Sequence, residues 1–389
     1  MHKLCDIVKH RSVILRNIVK MNRLLIVGNG FDLAHDLKTR YSDFLNHYWN
    51  QLETDYEDEL ISFHSLSPIS CKSHTELQRE IQRVNREWLN HDNVSFEYKN
   101  KFFELLNEEC NSENWVDIEL FYYKKLKRRF EANPSKIIDL NNEFEKVKLV
   151  FEKYIQHVVN SRKNLEDHRF EEMSKLFTPL GTDTQTKLAL KKKLPPKALQ
   201  EYYKFNVASV GKATRFHILN FNYTDTLNVY NDVIKLNDGV KINHIHGEAG
   251  SEQNKVIFGF GDERDDLFTK LENTGSNEYL RFMKSSFYFR TRNYFDLLNF
   301  LEDRSFLVEI LGHSCGLSDR TLLKNIFEHS NCTQIFIHYH ETKIKDKIYD
   351  NFNDLTLNIS RHFENKITLR EKVANKEFCT PLPQKNPKI

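Results

Sequence analysis

The sequence has no apolar run approaching the ~18 residues of a membrane-spanning helix. That absence argues against a helical membrane protein. Cysteine is sparse and scattered: Cys5, Cys71, Cys110, Cys315, Cys332 and Cys379 include no CxxC pair. Such spacing supports neither a zinc site nor a disulfide framework, and it suits a reducing cytoplasm. Net charge is nearly absent too. With 57 basic and 55 acidic residues the formal charge is +2, so nothing demands a polyanionic partner such as duplex nucleic acid. The first twenty residues are basic, but their apolar run is too short and interrupted for an export signal, and Met21 directly precedes the first clear strand. Internal repeats and low-complexity tracts are missing as well.

What is present is 389 residues with 39% hydrophobic content, enough for one large domain or two. Strand signals are few: 23–27, 216–219, 242–245, 256–258, 306–311 and 334–339. Most are continuous apolar runs, which fit strands covered on both faces. The expected fold is therefore α/β, a Rossmann-like, mostly parallel sheet flanked by helices. Residues 45–211 differ: they are long, charged and helical in period, with residues 142–164 forming one good amphipathic helix. They read as a helical insertion after the first strand. Residues 21–44 and 212–370 then make a discontinuous nucleotide-binding domain, with a smaller aromatic and basic insertion within 260–305. The Pro- and Lys-rich stretch 371–389 reads as a fraying tail.

Four strands run straight into polar or glycine-bearing loops, and in open α/β sheets the ligand binds outside the carboxyl ends of the strands. The first loop is Gly28-Asn29-Gly30-Phe31-Asp32. Its glycines allow backbone N–H groups to approach a phosphate closely; a tight turn is the plainer explanation. A dinucleotide fingerprint would need a third glycine where Leu33 stands, and the lysine of a Walker loop is absent. The second loop, Asn220–Asp225, can hold a ribose hydroxyl or a water, or simply form Asx turns and a helix cap. The third, His244-Ile245-His246-Gly247, offers His246 as a general base near neutrality, against the alternative of a satisfied structural histidine. No metal-ligand spacing accompanies it. The fourth, Gly312-His313-Ser314-Cys315-Gly316, matches the G-x-S-x-G nucleophile elbow. A hydrolase using Ser314 would draw on Asp346, Asp350 or Asp354 and on His362. Alternatively Gly312 and Ser314 cradle a phosphate or ribose.

The blocks LLIVGNGFDLAHDLKTRYSDF (24–44), LNFNYTDTL (219–227), HIHG (244–247), FGFGDE (258–263) and LGHSCGLSDRTLL (311–323) together resemble the AbiH family of bacterial phage abortive-infection proteins. More distantly they resemble sirtuin-like NAD hydrolases of antiphage defence. The resemblance implies that Gly28 and Gly30, within the loop completed by Asn29, Phe31 and Asp32, face a pyrophosphate. Asn222 would hold the nicotinamide ribose or the attacking water, with Asp225 the nearby carboxylate. His246 would act as base toward a ribose hydroxyl, and Gly312 and Ser314 would contact the adenosine half. Departures include Thr224 where an Asp is expected, with Asp225 one position further on, Asn29 as the residue between the glycines, and Asp32 where a hydroxyl is usual. The sirtuin zinc cysteines are absent, which argues against deacetylation.

The implied function is an antiphage effector that hydrolyses NAD⁺ or a related nucleotide, with no metal or cofactor required. A phage-derived trigger and self-association through the helical insertion are the partners it implies. Rival readings are a serine hydrolase using Ser314, a non-enzymatic sensor of NAD⁺ or ADP-ribose, and nucleic-acid binding through 187–203 and 281–294. For those two basic stretches a solvated helix face is the favoured reading.

Overall fold

The computed structural model describes residues 22–66, 68, 71, 73–87, 94–110, 118–162, 168–177, 215–235, 240–261, 263–345 and 347–384. The N-terminal segment 1–20 and the basic stretch 187–203 lie outside the described residues. In chain order the strands are β1 (Asn22–Val27), β2 (Tyr56–Glu57), β3 (Ile61–Ser65), β4 (Val94–Tyr98), β5 (Phe216–Asn220) and β6 (Val240–His244). They continue with β7 (Phe306–Leu311), β8 (Cys332–Tyr339), β9 (Glu341–Ile344), β10 (Lys347–Asp350) and β11 (Thr380–Pro381).

Two compact units result. One contains the described parts of Met1–Leu37, Arg162–Glu248 and Tyr288–Ile389; the other is Lys38–Ser161 with Ala249–Phe287. The first unit carries a six-stranded, all-parallel sheet in the order β11-β8-β7-β1-β5-β6. Every residue of β1 (NRLLIV) and β5 (FHILN) is buried. This is what continuous apolar runs produce when helices cover both faces of a sheet. On one face Leu25, Val27, Phe31, Ile218, Leu227 and Tyr230 pack with Met173 and Phe177 of the helix His168–Phe177. That helix, at the far end of the stretch read as an insertion, belongs to the sheet domain. The fold is α/β and Rossmann-like. No helix among the described residues is long and apolar enough to cross a membrane.

A charged residue sits in the middle of this sheet with its countercharge. Glu309 on β7 lies 2.8 Å from the Arg23 guanidinium on β1 and 3.5 Å from His338 on β8. Burial alone would raise the Glu309 carboxyl, but the Arg23 charge and these hydrogen bonds bring it down to about 2.

The second unit is helical, as its period indicates, and its long helix runs Ile137–Ser161. It also holds an antiparallel sheet, β2-β3-β4, that composition concealed. The run 256–258 is not a strand. Val256, Ile257 and Phe258 are buried as coil, and Phe258 stacks on Phe144 and Phe151 of the long helix. A three-residue apolar run has no period, so it cannot tell a strand from packed coil. Through residue 384 the C-terminal stretch, expected to fray, is ordered into the sheet. Leu382 is buried, and β11 adds a parallel edge strand to β8. The basic segment 281–294 is partly internal: Lys284 is buried against Glu119 at 2.8 Å, and Arg281 contacts Asn142 and Glu278.

Candidate functional site

The loops after β1 and β7 close on each other. The Gly28 amide donates to Leu311 O at 3.1 Å, the Gly30 amide to Gly312 O at 2.8 Å, and the Phe31 amide to Gly28 O at 2.8 Å. Gly312 adopts φ +71, and a Cβ there would lie 2.3 Å from Phe31 N; one on Gly30 would lie 2.7 Å from Gly312 O. Glycine is required at these places for loop-on-loop contact. The Gly28, Gly30 and Phe31 amides thus all donate within the protein. Asn29 opens the six-residue helix Asn29–Ala34 that follows.

Behind this seam lies a buried polar cluster. Asp32 is 1% exposed, and its carboxylate accepts from Thr224 Oγ1 at 2.9 and 2.8 Å. Thr226 and Asn222 also hydrogen-bond to it. Burial pushes Asp32 up from 3.8 to about 6, and these bonds hold it there rather than higher. Asp32 and Thr224, two positions at which the sequence departs from the resemblance, are therefore bonded to one another. Asn222 Nδ2 donates to Gly28 O at 3.1 Å, and its backbone amide donates to Asn220 Oδ1 at 3.1 Å. Asp225 makes no hydrogen bond to Asp32 but its charge helps to raise the Asp32 carboxyl. It is half-buried and paired with both ends of the Arg162 guanidinium at 2.6 and 3.0 Å.

Beyond β6 the chain turns through Gly247, at φ 79, and sets His246 beside a carboxylate. His246 Nε2 lies 3.3 Å from Asp319 Oδ1 and 3.4 Å from Tyr288 Oη. The other Asp319 oxygen lies 3.5 Å from His313 Nε2, while His313 Nδ1 accepts the Cys315 amide at 3.0 Å. The Phe221 ring packs on both imidazoles, with centroids 4.9 Å from His246 and 4.2 Å from His313. Since Asn222 follows Phe221, the Asn222 and His246 ends of the site are joined through one residue. His244 has different partners, Asn220 at 3.2 Å and Glu248 at 3.5 Å.

Among the described residues the partners named for Ser314 in a hydrolase are not gathered around its hydroxyl. Ser314 is exposed, and the left-handed residues of its loop are Gly312 and the buried Cys315, at φ 71 and 53. His362 Nε2 bonds Cys315 O at 2.9 Å rather than the serine. Asp350 is engaged with Lys376, Asp354 is exposed, and Asp346 lies outside the described residues. Ser314 contributes its carbonyl to Asn358. Among the described residues no group of three His, Cys, Asp or Glu is placed to hold a metal ion.

Asp319, His313 and Thr226 were missed at the level of sequence. Asp319 and His313 fall within the quoted LGHSCGLSD block, but an Asp before a helix reads first as a cap. No curated protein matches the chain. A family model described as bacteriophage abortive infection AbiH matches residues 24–340, a span that contains every residue of the cluster above. The chain belongs to the AbiH family of bacteriophage abortive infection proteins, and its role is in antiphage defence by abortive infection.

Proposed function

We propose that the chain acts in abortive infection by hydrolysing NAD⁺ or a related nucleotide at this site. What carries the reading is the pairing of Asn222 and His246 through Phe221, at the carboxyl ends of neighbouring parallel strands. Asn222, its side chain set by hydrogen bonds to Gly28 O and Asp32, positions a ribose hydroxyl or a water. His246 is the base.

The chemistry asks little beyond this. The bond between nicotinamide nitrogen and ribose carbon breaks through an oxocarbenium-like state, and the leaving group departs neutral. Water adds to the ribose carbon and gives up one proton, so the products are ADP-ribose, nicotinamide and H⁺. Positioning, a base and nearby negative charge suffice. Asp32, ionised above pH about 6, supplies that charge in place of Asp225. Gly28, Gly30 and Gly312 serve as the scaffold that holds the two loops together. The Lys38–Ser161 and Ala249–Phe287 unit is the part we assign to sensing a phage-derived trigger or to self-association.

The reading is tested in cells that express the chain and are challenged with phage. Cellular NAD⁺ should collapse with the wild type and hold with His246→Ala or Asn222→Ala. Protection from phage with undiminished NAD⁺ overturns the hydrolase and favours a sensor that binds without turnover.

A further inference from the structure

Asp319 occupies the N-cap position of the helix Arg320–Phe327, yet its side chain makes no capping hydrogen bond. An Asp there ordinarily accepts an N–H of the first turn. This one is 8% exposed and instead lies between two buried imidazoles, 3.3 Å from His246 Nε2 and 3.5 Å from His313 Nε2. Giving up a cap to bury a charge stabilises nothing in itself, so the placement calls for another account.

We propose that Asp319 is the positioning residue of the site, fixing His246 with its proton on Nε2 so that Nδ1 is the basic nitrogen. The proposal rests on the reading of His246 as the base. The geometry of His313 makes it specific. His313 Nδ1 accepts the Cys315 amide, so the His313 proton must sit on Nε2 and point at Asp319 Oδ2. One carboxylate oxygen is thereby occupied, and the other, Oδ1, takes the His246 Nε2–H. When His246 gains a second proton on Nδ1, the resulting cation faces the Asp319 charge and is stabilised by it. The arrangement is the carboxylate–imidazole pairing that orients a general base in hydrolytic triads. Other titratable groups around Asp319 are His362, Arg320 and the Cys315 thiol, with Tyr288 against His246.

The test is ¹⁵N-histidine NMR of the full chain, with the two signals assigned by His246→Gln and His313→Gln. In the wild type both histidines should carry the neutral proton on Nε2. Asp319→Asn offers one acceptor and one donor in place of two acceptors. His313 cannot change tautomer, because the Cys315 amide holds its Nδ1. The His246 proton should therefore move to Nδ1, and its titration midpoint should fall by about one pH unit or more. In turnover, the acidic limb of kcat/KM should move down with it while KM stays near the wild-type value. A wild-type His246 protonated on Nδ1 overturns the proposal without any variant, as does an Asp319→Asn protein in which the His246 tautomer and midpoint are unchanged. If the NMR result holds and no nicotinamide is ever released, it is the hydrolase reading that falls, not the placement of Asp319.

Discussion

A buried carboxylate held near its ionised state is a burden on stability, and Asp32 allows that burden to be measured. Its pKa stands at about 6 against an ordinary 3.8. A gap of about two pH units at 1.36 kcal/mol each is about 3 kcal/mol. The sign follows from the direction: the folded form binds the proton more tightly than the unfolded form. The cost is absent below pH 3.8, accrues as pH rises toward 6, and is complete above it. Asp32→Asn keeps the shape and removes the charge. It also weakens the bonds from Thr224, Thr226 and Asn222, which returns about 1 kcal/mol. The variant should therefore be more stable than the wild type by about 2 kcal/mol at pH 8, roughly 4–8 °C in Tm for a unit of this size. At pH 4 the advantage should vanish. Urea or thermal melts at the two pH values decide it. A variant that is less stable by the same margin at both would show that the ionised form is favoured by the fold, and the argument for a strained, functional carboxylate would fail.

Two further perturbations test the frame of the site. Gly312→Ala forces a Cβ to within 2.3 Å of Phe31 N at positive φ and should cost about 3 kcal/mol or more in a urea melt; a loss under about 1 kcal/mol would refute the loop-on-loop account. Arg23→Met leaves Glu309 buried without its partner and should cost about 3–5 kcal/mol at pH 7. Because the folded Glu309 pKa lies at about 2, below its ordinary 4.5, the stability that this carboxylate contributes is present above 4.5 and lost as pH falls toward 2. The Arg23→Met deficit should accordingly shrink as pH falls from 4.5 toward 2, and a deficit independent of pH there would show that packing, not charge, is what was lost.

The parallel sheet was legible in the sequence because five of its six strands are apolar runs long enough to carry a signal. β11 was not, since two residues ahead of a Pro- and Lys-rich end have neither length nor period. The antiparallel β2-β3-β4 sheet was hidden by strands such as ISFHS and VSFEY, which are short and mixed within a charged region. At the site, the four loops were recognisable from their polar residues, but the partners within them were not. Gly28, Gly30 and Gly312 suggested a phosphate cradle because glycine permits it; that the glycines close on one another is a long-range contact no local pattern reveals. The same limit applies to Asp32 and Thr224. Each reads as a departure alone, and their mutual hydrogen bond is visible only in the fold. Asp225 drew attention by its spacing from Asn222, while its tie to Arg162 was not visible.

The central claim is that Asn222 and His246 form one nucleotide-cleaving site. The most direct measurement incubates protein isolated from phage-challenged cells with NAD⁺ and follows nicotinamide and ADP-ribose by liquid chromatography. Wild type should release the two in equal amounts, and His246→Ala and Asn222→Ala, folded as judged by their melts, should release neither. Equal release from wild type and variants, or none from the wild type, would contradict the account.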